Sequence, residues 1–167
     1  MVRVETVLET WRAVRKDSAQ AVLDWPEADL TFRATPDLMS FGQIARHILD
    51  SSHALTSLLL EGVTDFQSPD FRSWLEQRLT GVPETAAAAE MAGALVDVLG
   101  RRIEELRPQS AEWWAQPVTK WDGQVLTRLE YIQFCKEHEL THRSQLFLYL
   151  RLKGAVPPTT KRRLAKK

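Results

Sequence analysis

Apolar residues recur at three- and four-residue steps along four separate stretches of this 167-residue chain, and that spacing leaves room for little besides helices. Val4, Val7, Leu8, Trp11, Val14 and Val22 mark the first stretch, which stops near Trp25-Pro26. The second opens on Ser40 and Gln43, a capping box enclosed by a Met39/Ile44 staple. It carries Phe41, Ile44, Ile48, Ser51, Leu55 and Leu58 on one stripe and meets a stop at Gly62. A loop with a short amphipathic piece around Phe71, Trp74 and Leu75 follows, and Pro83 introduces an alanine-rich third stretch. Its inner side is Ala87, Met91, Leu95, Val98, Leu99, Ile103 and Leu106, with Pro108 beyond. The fourth repeats the opening of the second, with Thr127 and Glu130 as the box and Leu126 and Tyr131 as the staple. Ile132, Cys135, His142, Leu146 and Tyr149 share one of its faces, and Lys153-Gly154 ends it, with Pro157 beyond.

Strand signals are nearly absent: no Asn-Gly or Asp-Gly turn between β-branched runs stands out. The stretch from Pro108 to Leu126, with Trp113, Trp114 and Trp121, reads as an irregular connection whose tryptophans cover a core. The expected fold is therefore all-α, a four-helix bundle with antiparallel helices.

A chain of this length is one domain by the usual prior and buries about two thirds of its unfolded surface, so neither a disulfide nor a metal is needed for folding. The single cysteine, Cys135, has no intramolecular partner, and Glu5 and Glu9 fall where a signal peptide would have its apolar core; both point to the cytoplasm. No apolar run approaches the 18 or more residues of a membrane span. Basic and acidic residues balance at 22 each, but Lys161, Arg162, Arg163, Lys166 and Lys167 crowd the end, leaving 17 basic against 22 acidic residues elsewhere, a net charge of −5. An acidic body does not bind polyanions. The bundle is expected over residues 1–158, and residues 159–167 are expected to be a disordered basic tail, too short and too poor in aromatics for nucleic acid.

Chemistry concentrates in Glu137-His138-Glu139-Leu140-Thr141-His142-Arg143. Four residues is about one helical turn, so His138 and His142 project from one face and can grip one transition-metal ion. Two ordinary surface histidines would have the same spacing. His47, in the middle of the second stretch's apolar stripe, is the candidate third ligand; a core histidine bonded to a carbonyl or to Asp50 is the alternative. His53, six residues on, is rotated by roughly 120° and cannot join. Cys135, one turn before His138, reads as a small core residue rather than a ligand or nucleophile. Glu137 and Glu139 flank His138 on different faces and are expected to be solvated. No serine-centred triad, phosphate-binding glycine loop or carboxylate pair stands out.

The inward histidine within Ser40-Phe41-Gly42-Gln43-Ile44-Ala45-Arg46-His47-Ile48, together with His138-x-x-x-His142-Arg143-Ser144-Gln145-Leu146 running into Tyr149-Leu150-Arg151 and Gly154, resembles the DinB/YfiT-like family up to about Pro158. The resemblance implies a four-helix bundle, commonly dimeric, with three histidines binding a divalent metal near one end. Here these would be His47, His138 and His142. It further implies metal-dependent hydrolysis, or transfer involving low-molecular-weight thiols, on a small-molecule substrate, and links to stress or DNA damage. A non-catalytic metal-binding stress protein is the alternative. Ser144 departs from the family's frequent Gly without touching the ligands. Three imidazoles leave positions open for water or substrate; imidazole suits zinc, nickel, iron and copper alike, and zinc or nickel is the expected ion. Asp50, three residues after His47, is a candidate acceptor for that imidazole, and Gln145, one turn after His142, would orient a ligand, a bound water or a substrate, unless it is simply a helix residue at the bundle edge. Leu140, Phe147 and Leu150 lie off the His142 face and would be covered in a homodimer.

Overall fold

The computed structural model describes residues 3–166. Four long helices carry the fold: α1 (Val4–Leu23), α2 (Phe41–Leu60), α4 (Ala88–Leu106) and α6 (Arg128–Leu152). Between them lie the short α3 (Phe71–Glu76) and α5 (Ala111–Ala115) and a hairpin of β1 (Pro117–Thr119) and β2 (Val125–Thr127); α7 (Pro158–Leu164) follows. Both capping boxes form, Ser40 with Gln43 and Thr127 with Glu130, and Gly62 and Gly154 take the positive φ that lets the chain leave α2 and α6.

Side-chain pairings fix the direction of each helix. Arg12 reaches Glu104 and Arg15 reaches the Leu95 carbonyl, so α1 and α4 are antiparallel. Met39 meets Tyr149 and His47 meets His138, so α2 and α6 are antiparallel too. Trp11 pairs with Glu139 and Asp17 with Arg143, making α1 and α6 parallel; Gln43 pairs with Glu84 and Ser57 with Arg102, so α4 likewise runs along α2. The bundle is up-down-down-up rather than the antiparallel arrangement expected from helix lengths. Parallel α2 and α4 force the chain to travel the height of the bundle between them, and residues 61–87 do so across the outer surface of α2. At the far end the return crosses so close to α2 that a Cβ on Gly42 would stand 2.1 Å from the Glu84 carbonyl oxygen, which only glycine permits.

Several details depart from the sequence expectations. The third helix begins at Ala88, with Ala87 exposed, because Pro83 and its successors are spent on a turn. The stretch from Pro108 contains α5 and a hairpin closed by Asp122-Gly123, with Gly123 donating to the Lys120 carbonyl; its strands, three residues each, are too short to show a period. Thr119 also exchanges backbone hydrogen bonds with Thr64 and Phe66, tying the hairpin to the return segment. Residues 158–164, across the expected start of a disordered tail, form α7: Pro158 sits in its first turn, Arg162 holds Asp17 bidentately at 2.6 and 3.1 Å, and Lys161 meets Asp24 at 2.8 Å. The acidic face of α1 orders those cations.

The core falls into two apolar clusters, one around Phe41, Met91 and Leu146, the other around Trp11, Leu58 and Tyr131. A polar layer separates them. Glu139, expected in solvent, is 2 % exposed and accepts from Trp11 Nε1 (2.6 Å), Ser18 Oγ (3.1 Å), Arg15 Nε (2.8 Å) and Arg15 Nη2 (2.9 Å). Arg15 also donates to Leu95 O on α4 and to Ser52 Oγ on α2, so one ion pair joins all four long helices. Leu150 is buried in the core and Leu140 and Phe147 are partly covered, so the apolar stripe expected to drive dimerisation is largely satisfied within the chain.

Candidate metal centre

Level with that layer, α2 and α6 bring their histidines together. His138 and His142 stand one turn apart on α6, and His47 faces them from α2. His138 Nε2 lies 3.2 Å from His47 Nε2 and 3.1 Å from His142 Nε2, and one ring nitrogen from each lies within 4.8 Å of the others. Two imidazoles about 2.05 Å from one ion would be separated by about 3.3 Å at a tetrahedral angle and about 2.9 Å at a right angle, so the observed spacings fit a shared ion. The cluster sits beside the middle of α6, not near one end of the bundle as the resemblance implied.

The chemistry of the donors agrees with their spacing. His142 Nδ1 donates to Gln145 Oε1 at 2.7 Å, which leaves its Nε2 lone pair free to bind. His138 Nε2 therefore has two nitrogen neighbours and at most one proton to share with them, an arrangement that a cation would resolve. Burial, then the neighbouring His142 and His47, hold the His138 pKa down to about 4; burial and His142 lower His47, with Asp50 opposing. Both rings are thus neutral at neutral pH, the form in which an imidazole can bind a metal.

Asp50 does not support His47 as expected. Its Oδ1 accepts from Thr80 N (2.9 Å) and Thr80 Oγ1 (2.6 Å), and its Oδ2 pairs with Arg46 at 3.3 Å. A carboxylate one turn along α2 is better placed to pin the return segment to the helix than to reach the ring. His53 stays apart, its pKa lowered by burial and by Arg102, and Cys135 is a core residue whose thiol burial pushes up.

His47 and His138 open into a cleft of about 540 Å³ walled by Ala54, Leu55, Phe71, Leu75, Trp121 and Phe134. The two connections on either side of α4 supply Phe71, Leu75 and Trp121. Phe134, one turn before His138, and Ala54 and Leu55, two turns after His47, stand at helical spacing from the histidines; Phe71, Leu75 and Trp121 have no sequence signal linking them to the site.

Two solved structures from Bacillus subtilis share the fold. YjoA, a DinB-like protein, is 17% identical with a TM-score of 0.68, over 90% of this chain and 94% of that one. YfiT, described as a probable metal-dependent hydrolase with an unusual four-helix bundle topology, is 16% identical with a TM-score of 0.70, over 93% of this chain and 91% of that one. No curated protein matches the chain in sequence. The model of the DinB family matches residues 1–167, and the chain accordingly belongs to the DinB family.

Proposed function

We propose that the protein is a metal-dependent hydrolase of small molecules, with His47, His138 and His142 as ligands of a divalent transition metal, zinc or nickel. The observation that carries this reading is the convergence of three imidazole nitrogens, with the two neutral rings, His47 and His138, opening into an apolar cleft. Such an ion would supply an acidified water and would polarise the oxygen of the bond to be cleaved. The three rings would hold it, Gln145 holding the His142 tautomer, and the cleft walls would exclude water from the rest of the substrate. YfiT's description supports this reading of the family.

Thiol-dependent transfer is the second reading. A smaller cleft of about 350 Å³, lined by Gln43, Arg46, Asp50 and Glu84, adjoins His47 as well and suits a polar low-molecular-weight thiol, leaving the apolar cleft for its acceptor. A non-catalytic, metal-binding stress protein would have no need of either cleft. The reading also includes operation in the cytoplasm, favoured by the lone core thiol Cys135, a role in stress or detoxification, and a homodimer through exposed Leu148 and Leu152 of α6. No described helix is long and apolar enough to cross a membrane. The test is turnover of an aryl-ester panel, with and without an added low-molecular-weight thiol, by chelated and by zinc- or nickel-reloaded protein. Activity that returns with the ion supports the reading, and a need for the thiol selects transfer. Equal activity in the chelated protein contradicts both.

A further inference from the structure

The wall of the larger cleft is aromatic and its rim is cationic. Trp121 lies nearly parallel to Phe71, with ring centroids 5.9 Å apart and 13° between planes, and tilts against Phe134 at 5.6 Å, yet it remains 45% exposed. Large aromatic surface left half open beside a cluster of ligating nitrogens is a surface for a ligand. Arg72, the residue after Phe71, lines the same cleft with an exposed side chain. Among the described residues it makes no ion pair and no side-chain hydrogen bond, whereas nearby Arg46 is paired with Asp50 and Arg78 with Glu61. The cleft's carboxylate, Asp50, is already held by Arg46 and Thr80, and the Lys120 ammonium, beside the Phe134 and Trp121 rings, is paired with Asp122 at 2.9 Å. Arg72 is therefore the charge the cleft leaves unanswered, and an anion is its complementary guest.

We infer that the cleft binds an amphipathic organic carboxylate, its aromatic or branched apolar body against Phe71, Trp121 and Phe134 and its carboxylate on Arg72 at the rim. This names the substrate class of the site proposed above and rests on that reading, but the contacts belong to the chain and persist without a metal. A volume of about 540 Å³ is within the usual range for small-molecule sites and holds a two-ring body with its acid side chain. A guanidinium recognises the carboxylate through paired N–H donors, which a neutral amide cannot reproduce.

Calorimetric titration tests it with three probes, 2-naphthylacetate, the uncharged 2-naphthaleneethanol and acetate, on protein stripped of metal and on protein reloaded with zinc. Naphthylacetate should bind at least tenfold more tightly than either other probe in both forms. Arg72→Gln should remove the preference for acid over alcohol while leaving alcohol binding unchanged, and Trp121→Ala should weaken both aromatic probes. Equal binding of acid and alcohol, a preference that survives Arg72→Gln, or no binding of either aromatic probe overturns the inference. A preference present only after zinc reloading also overturns it, because the ion and not Arg72 would then hold the carboxylate. A preference that persists in a protein that takes up no metal upholds this inference while the metal reading fails.

Discussion

His138 and Glu139 are adjacent on α6, about 100° apart around the helix, and each faces a cluster of polar groups at the same height in the bundle. On the Glu139 side every strong group is answered: both carboxylate oxygens accept two hydrogen bonds, and the Arg15 guanidinium donates to α2, α4 and α6. On the His138 side three nitrogens crowd together with too few protons. A saturated cluster has nothing left to bind and holds helices; an unsaturated one has lone pairs to offer. The first also serves the second, because Arg15 and Glu139 fix how α2 and α6 face each other one residue away from His47 and His138.

The largest effect should come from breaking the saturated side. Glu139→Ala leaves the 1 % exposed Arg15 uncompensated and should cost about 3–5 kcal/mol of unfolding free energy in urea titrations. Replacing both partners, Arg15→Met with Glu139→Leu, should recover most of that loss, since the charge and its counter-charge go together. A single Glu139→Ala cost within about 0.5 kcal/mol of zero would mean the pair is ornamental.

Next in size is the effect of metal on stability. An ion that binds only the folded state should add about 3 kcal/mol at a hundredfold excess over Kd, so chelation should lower the melting temperature. The apolar clusters do not involve the histidines, and the chelated protein should still melt cooperatively as a helical bundle by circular dichroism. Noncooperative melting of that form would show that the ion holds the fold together. A smaller effect is expected for Gln145→Leu, which frees the His142 ring and should weaken metal binding about tenfold with helicity unchanged.

A separate effect is a pH dependence of the chelated protein. The folded pKa of His138, about 4, and that of His47, also depressed, lie below the ordinary histidine value of about 6.5. Across that window the unfolded chain binds more protons, so stability should fall as pH drops from about 6.5 towards 4. His138→Gln should flatten the slope; an unchanged slope would assign it to other groups.

The helices and caps were readable in the sequence because they depend on local periodicity and on side chains within one turn, as Ser40 with Gln43 and Thr127 with Glu130 show. The histidine constellation was readable in part for the same reason, since His138 and His142 share a turn. Helix direction was not, because nothing local tells α4 to run along α2. The environment of Glu139 was hidden as well: its partner Arg15 lies 124 residues away, and a carboxylate beside a helix's exposed face looks solvated until α1 is placed against it. The Asp122-Gly123 turn passed unnoticed between strands of three residues, and the cleft walls came from connections whose course only the bundle topology dictates.

The account turns on whether the unsaturated side binds a metal through the three histidines. The direct measurement is elemental analysis of protein purified without an affinity tag, wild type beside His142→Ala, with affinities from competition against a chelator. Wild type should carry about one equivalent of zinc or nickel per chain, and His142→Ala should carry none while keeping the helical spectrum of the chelated wild type. One equivalent held by His142→Ala at wild-type affinity would contradict the site.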